Sequence, residues 1–381
     1  MTSPIVAVIG GGQLARMMAP AATELGLTLR VLVESPEAAA ALPAHEFVVG
    51  MPSDADAVAQ LLAEPRPVAL TWEHEHIPVS VFEAAQAAGV PARPGLEALV
   101  FAQDKIAMRE RMTELGLPNP DWAHVTDEAS VTAFLDAHAS EAIVKTARGG
   151  YDGKGVRVIS SAAQAADWIA GRAEGGPELL VEQKVPFTRE LAVLVARRPS
   201  GDVAVWPVVE SIQRAGVCSE VIAPAPDLDP ALASQAREIG ERVATELGVI
   251  GVLAVEMFEA EGHLVINELA MRPHNSGHWT MDGSVTSQFE QHLRAVADLP
   301  LGDTSPRAPW TVMANVLGGA RQDLSGALAE VRDPGAKMHL YGKGVRPGRK
   351  VGHVNVSGVD QQETYDRAVA AAAIVREGAQ Q

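Results

Sequence analysis

Lys145-Thr146-Ala147-Arg148-Gly149-Gly150-Tyr151-Asp152-Gly153-Lys154-Gly155 separates two apolar runs, residues 143–145 and 156–160. Four glycines fall within residues 149–155. Such a backbone can fold over a triphosphate with its N–H groups turned inward. Lys145, Arg148 and Lys154, together with Asp152, concentrate charge that a merely flexible hairpin tip would not need. No Gly-Lys-Ser/Thr opens a helix, so this is not a Walker-type phosphate loop. The segment predicts a phosphate lid inside a small α+β unit. Lys145, at a strand end, is within reach of phosphate oxygens.

Upstream, apolar strands over 5–9, 28–33, 46–49 and 68–71 alternate with helical patterns over 13–25 and 54–63, which predicts an open parallel sheet covered by helices. Gly10-Gly11-Gly12-Gln13-Leu14-Ala15 lies between the first strand and the first helix, and Glu34 follows Gly12 by 22 residues. On these residues alone a dinucleotide site and an ordinary tight turn are equally good readings, since both need glycine and an open helix N-terminus. Trp72-Glu73-His74-Glu75-His76 continues past a strand end and reads as a binding loop at the carboxyl edge of the sheet. Zinc fits neither this loop nor His274 with His278, which sit among Pro273, Asn275, Ser276 and Gly277 rather than on a helix.

Downstream, a charged helix spans 103–115, followed by strands near 121–125, 143–145, 156–160 and 178–183 and helices near 128–138 and 162–171. From residue 190 long β runs dominate: 191–197, 203–209, 252–259 and 264–269, with strands near 313–317, 338–341 and 353–356 and helices over 230–247, 285–297 and 361–376. Glu256 and Asn267-Glu268 interrupt apolar strands joined by the short turn Glu259-Ala260-Glu261-Gly262. Carboxylates in such strands need a compensating cation. One turn register puts Glu256 and Glu268 on the same face and builds a hard-oxygen site for Mg²⁺; the other turns Glu268 away. The segment 181–185 can read an adenine edge with its extended backbone.

The chain carries 31 Lys and Arg against 48 Asp and Glu, a net charge of −17. That surface disfavours nucleic acid and anionic lipid. The cluster Lys343, Arg346, Arg349 and Lys350 runs against this background and reads as a phosphate clamp. No apolar run is long enough to span a membrane. A single cysteine, Cys218, and a first strand reached without a basic leader lead us to expect a cytoplasmic protein.

Residues 145–155, Glu256 with Asn267-Glu268, and Arg272-Pro273-His274-Asn275-Ser276-Gly277-His278-Trp279-Thr280 resemble the ATP-grasp superfamily. More narrowly, with Ser287-Gln288-Phe289-Glu290-Gln291-His292 and residues 346–353, the chain resembles the N5-carboxyaminoimidazole ribonucleotide synthases over almost its whole length. The resemblance implies an α/β ATP-grasp fold with a Rossmann-like pre-ATP-grasp domain (1–103), a small α+β lid domain (104–181) and a C-terminal α+β domain (182–381). It implies a ligase that joins bicarbonate to 5-aminoimidazole ribonucleotide through carboxyphosphate, using ATP and Mg²⁺, commonly as a homodimer. Formate activation is the near alternative, a nicotinamide oxidoreductase the distant one. By the same resemblance, ATP falls to Lys105, Lys145, Gly150, Tyr151, Asp152, Gly153, Lys154, Gly155, Val156, Glu182, Gln183, Lys184, Val185, Glu190, Gln213, Asn267 and Glu268. Mg²⁺ falls to Glu256, Asn267 and Glu268. The ribonucleotide falls to Gln13, Leu14, Glu73, Asn275, Lys343, Arg349 and Lys350, and the carboxyphosphate to Tyr151, Asp152 and Arg272. Ala15, Met271 and Ser211-Ile212-Gln213 depart from the family pattern.

Overall fold

A computed structural model describes residues 3–138, 141–149 and 155–378. Strands β1 (Ile5–Ile9), β2 (Thr28–Val33), β3 (Glu46–Val49) and β4 (Ala69–Trp72) form a parallel sheet in the order β3-β2-β1-β4. Helices α1 (Gln13–Glu24), α2 (Ala55–Leu61) and α3 (Val79–Ala88) connect it. Asp54 caps α2 by accepting from the N–H groups of Asp56 and Ala57, and Gly89 ends α3 in the left-handed conformation.

The charged helix expected over 103–115 is α5 (Lys105–Glu114), and a separate helix not expected from the sequence, α4 (Leu96–Gln103), precedes it. Asp104 between them is extended and caps α5 through the N–H groups of Ile106 and Ala107. A second sheet holds β5 (Trp122–Val125), β6 (Ala142–Thr146), β7 (Val156–Ile159) and β8 (Leu179–Gln183) in the order β5-β8-β6-β7, with α6 (Glu128–Ala137) and α7 (Ala166–Ala173) against it. The helix expected over 162–171 starts instead as a 3-10 turn, Ala162–Ala165, and becomes α-helical at Ala166. The boundary expected after residue 181 falls inside β8, which pairs with β5 and β6 beyond it.

The largest sheet is built from β9 (Arg189–Arg197), β10 (Val203–Val205), β11 (Val209–Arg214), β12 (Val217–Ala223), β13 (Gly251–Ala260), β14 (His263–Ala270), β15 (Trp310–Leu317), β16 (Lys337–Leu340) and β17 (Lys350–Gly358). Its order is β14-β13-β9-β11-β12-β15-β17-β16, with β10 on β9. The run 203–209 is not one strand. Pro207 has no N–H to give a ladder, so the chain leaves the sheet after β10 and re-enters at β11. Helices α8 (Pro230–Glu246), α9 (Thr280–Gly283), α10 (Gln288–Val296), α11 (Ala327–Glu330) and α12 (Gln361–Glu377) complete the chain. The helix expected from 285 begins at Gln288, where Ser287 caps it.

Apolar packing welds the first sheet to the third. One core joins Ile9, Leu70 and Trp72 to Val193, Val255 and Ile266 through α4 and α5 residues Leu99, Met108 and Met112. Another packs Leu14 and Met18 of α1 against Phe289 and Leu293 of α10. The crevice at the carboxyl ends of β1 and β4 is thereby held over β13, β14 and the segment after β14. Among the described residues no helix is long and apolar enough to cross a membrane.

Candidate functional site

The acidic hairpin is the centre of the site. Ala260 pairs with His263 across the turn Glu261-Gly262, whose φ values are 50° and 76°. Both residues are left-handed, as a two-residue hairpin turn requires. Continued without interruption, that register would set Glu256 opposite Asn267 and turn Glu268 to the far face. A bulge resolves this: the ladder shifts between Glu256 and Met257, so that Met257 pairs with Ile266 but Glu256 pairs with Glu268. Asn267 is the extra residue, and the two carboxylates share a face.

Burial, then Glu268 and then Glu190 push the Glu256 carboxyl up to about 8. Lys105 Nζ stands 3.5 Å from Glu268 Oε1. His274 Nε2 is 3.6 Å from Glu256 Oε1, but burial holds this imidazole well below its ordinary pKa, so it brings no charge. The strand therefore carries more acid than its neighbours compensate. Mg²⁺ is commonly held by one or two carboxylates plus phosphate oxygens and water. The donor set fits: two carboxylates and one amide are present, and no group of three or more His, Cys, Asp or Glu among the described residues would hold a metal alone.

On the lid side, Lys145 Nζ lies 2.7 Å from Glu182 Oε2, and Arg109 Nε donates to Glu182 Oε1 at 2.7 Å. Burial alone would raise the Glu182 pKa, but Lys145 and Arg109 hold it below the carboxylate range. Its carboxylate is thus committed to this network rather than to an adenine edge. Gln183 ends β8, and Lys184 pairs with Glu141 at 2.9 Å. Val185 and Phe187 follow, Phe187 stacking on Phe258 at 4.5 Å between centroids. Glu190 is raised to about 7 by burial. Gln213 Nε2 donates to Ser211 Oγ at 3.0 Å where the β11–β12 ladder shifts register. Gly155 and Val156 return the glycine loop to β7, and the Thr146 N–H donates to the Gly155 carbonyl at 2.9 Å. Arg148 pairs with Asp104 at 2.8 Å. Gly150, Tyr151, Asp152, Gly153 and Lys154 lie outside the described residues.

The loop after β4 gathers the remaining groups. Glu73 Oε2 accepts from the N–H groups of Leu14 at 3.0 Å and Ala15 at 3.2 Å, and Glu73 Oε1 accepts from the Gly12 N–H. The open N-terminus of α1 is therefore filled by the protein's own carboxylate, which leaves the dinucleotide reading of Gly10–Ala15 without its pyrophosphate seat. A cavity of about 350 Å³ does open at the strand ends, lined by residues including Leu32, Glu34, Met51, His74 and His76. Lys343 Nζ donates to Gln13 Oε1. Arg272 Nε donates to Glu75 Oε2 at 2.8 Å. Asn275 and Asn315 exchange amide hydrogen bonds at 3.1 and 2.8 Å, which commits the Asn275 side chain. Arg349 Nη1 donates to the Gly344 carbonyl at 3.2 Å, and Lys350 begins β17.

Sequence reasoning missed Arg109 and Glu75. Arg109 carried a usable signal, a cation between Met108 and Met112 on the buried side of a helix. Glu75 stands out in the sequence only as part of its loop, and its partner Arg272 is far away in sequence.

Three family models match successive stretches of the chain, the second of them spanning the small sheet and part of the large one. Residues 3–103 match the ribonucleotide synthetase preATP-grasp domain, 110–289 the ATP-grasp domain, and 311–367 the phosphoribosylaminoimidazole carboxylase C-terminal domain. The N5-carboxyaminoimidazole ribonucleotide synthase of Corynebacterium ammoniagenes is 49% identical, the alignment covering 95% of this chain and 89% of the relative. That of Mycobacterium tuberculosis is 48% identical over 97% of this chain and 87% of its own length. The Thermus thermophilus N5-carboxyaminoimidazole ribonucleotide synthetase superposes with a TM-score of 0.87 at 37% identity, covering 98% of both chains. The Aspergillus clavatus synthase, solved with ADP and 5-aminoimidazole ribonucleotide, superposes at 0.86 and 30% identity, covering 98% of this chain and 99% of that one.

Proposed function

This chain belongs to the N5-carboxyaminoimidazole ribonucleotide synthases, ATP-dependent ligases of purine biosynthesis, and on that premise we propose how its residues divide the work. Bicarbonate is the carbon donor. Its oxygen attacks the γ-phosphorus of ATP, ADP departs, and the exocyclic amine of 5-aminoimidazole ribonucleotide takes the carboxyl group from carboxyphosphate while phosphate leaves. The observation that carries this assignment is the bulged hairpin, which sets Glu256 and Glu268 side by side next to Lys105.

Glu256, Asn267 and Glu268 would hold Mg²⁺, which on binding neutralises charge on the β- and γ-phosphates. Lys105, beside Glu268, and Lys145 supply positive charge to the phosphates, and residues 150–156 cover them. Residues 182–185 frame the adenine through their backbone, and Glu190 faces the ribose. Gln213 occupies the position of an ATP contact but spends its amide on Ser211. The ribonucleotide lies against Gln13, Leu14, Glu73 and Asn275, its phosphate on Lys343, Arg349 and Lys350. Tyr151, Asp152 and Arg272 stand by the carboxyphosphate. Enclosure matters because this intermediate is consumed by water. A cytoplasmic homodimer belongs to the same proposal and rests on family likeness.

The test is ADP release from Mg-ATP and 5-aminoimidazole ribonucleotide with bicarbonate, with formate, or with neither. Bicarbonate dependence is the expected result. Formate dependence would replace the donor and leave the nucleotide site standing.

A further inference from the structure

We propose that Arg109, which no part of the nucleotide or substrate assignment includes, is the positioning residue that locks the acidic hairpin in its working register and ties it to Lys145. The inference rests on the reading of Glu256 and Glu268 as the Mg²⁺ ligands. Arg109 lies on α5 and is fully buried. Its Nη1 donates to the Ile266 carbonyl and its Nη2 to the Asn267 carbonyl, each at 2.8 Å. Consecutive carbonyls of a regular strand point to opposite edges. An inserted residue makes two successive N–H groups face the partner strand, and the carbonyls opposite them then face outward together.

Ile266 and Asn267 present that pair on the outer edge of β14, and one guanidinium reads both. Slipping the strand back by one residue would turn one carbonyl inward and break the fork. The Ile266 N–H donates to the Pro118 carbonyl at 2.9 Å, so the same edge is anchored beside the bulge. Nε of Arg109 meanwhile holds Glu182, whose other oxygen holds Lys145. One side chain thus fixes both the acids expected around the metal and the lysine expected at the phosphates. Lysine cannot replace it, because an ammonium is a point donor and lacks the planar fork.

The test is Arg109→Lys, which keeps the charge and removes the fork. Three quantities are compared with the unmodified chain: the strengthening of ADP binding by Mg²⁺ in calorimetry, the hydrogen exchange of peptides covering residues 263–272, and kcat alongside the KM for ATP. The expected result is a loss of about tenfold or more in the Mg²⁺ enhancement, faster hairpin exchange, and a kcat loss of about a hundredfold with a native circular dichroism spectrum. If the variant does not fold, Arg109→Gln takes its place, since Lys145 still compensates the Glu182 carboxylate. A folded variant with an Mg²⁺ enhancement within about twofold of normal and unchanged exchange overturns the inference while leaving the metal ligands in place. If Mg²⁺ does not strengthen ADP binding to the unmodified chain, the metal reading itself falls and this inference falls with it.

Discussion

Replacing His292 by glutamine tests how the first sheet is fastened to the third. His292 is on α10 and fully buried. Its Nδ1 accepts from the Val252 N–H on β13 at 3.1 Å, so Nε2 carries the proton and donates to Thr71 Oγ1 on β4 at 2.9 Å. Both nitrogens are used in the neutral form, and protonation at Nδ1 would break the first bond. Burial pushes the imidazole from 6.5 down to about 3. A group whose pKa is depressed on folding contributes fully above its unfolded pKa and loses that contribution as the pH falls towards the folded one. At pH 5 the unfolded chain holds its protonated ring in roughly thirtyfold excess while the folded ring stays neutral, which costs about 2 kcal/mol relative to pH 7. Glutamine can span the same partners and does not titrate. Urea unfolding of both chains at pH 7 and pH 5 gives the double difference, in which the contributions of His274, His278 and His353 cancel. The unmodified chain should lose about 2 kcal/mol more than H292Q on acidification. Equal losses would show that the ring is not held neutral by the fold, and the reasoning would be wrong.

Glu268→Ala should reduce ATP-dependent turnover by about 10²–10³ in kcat with the fold intact, measured by ADP release; near-normal kcat would remove Glu268 from the site. Asn267→Ala keeps the bulge and both carboxylates and should weaken, without abolishing, the strengthening of ADP binding by Mg²⁺ in calorimetry; an unchanged enhancement would remove the Asn267 amide from the metal site. Lys343→Ala should raise the KM for the ribonucleotide by roughly ten- to a hundredfold, the worth of a hydrogen bond to a charged group, while the KM for ATP stays within about twofold; a shift in both would place Lys343 elsewhere.

What the sequence revealed was what local pattern encodes. Carboxylates inside apolar strands marked the hairpin, and cations against a background of −17 marked the basic turn. The register of the hairpin was not legible. A two-residue turn at Glu261-Gly262 counts out to the wrong face, and the residue that corrects it, Asn267, is conspicuous only as one more polar side chain. The start of α5 at Lys105 rather than Gln103 was hidden because a capping acid and a helix-interior acid look alike among charged neighbours. Which partners pair across distant elements, Arg109 with Glu182 and Arg272 with Glu75, is not written in either local segment. These pairs belong to tertiary packing, which sets where a buried charge finds its partner.

The two glycine loops show why a motif needs its surroundings. Gly10–Ala15 has the spacing of a dinucleotide turn and the open helix N-terminus to go with it, yet Glu73 occupies the amides that a pyrophosphate would use. Burial raises the Glu73 pKa, and those amide hydrogen bonds together with Lys343 work in the opposite direction. An incoming phosphate would have to evict this carboxylate and then sit beside both it and Glu34. A nucleotide monophosphate is better served elsewhere, and the nearest concentrated positive charge is the turn between β16 and β17, whose Lys343 already reaches Gln13 at the start of α1. The glycines at 10 and 12 are then explained by the close approach of Glu73, since a Cβ at either position would collide with its side chain. The same sequence string that suggested a cofactor seat is the cradle of the Glu73 carboxylate.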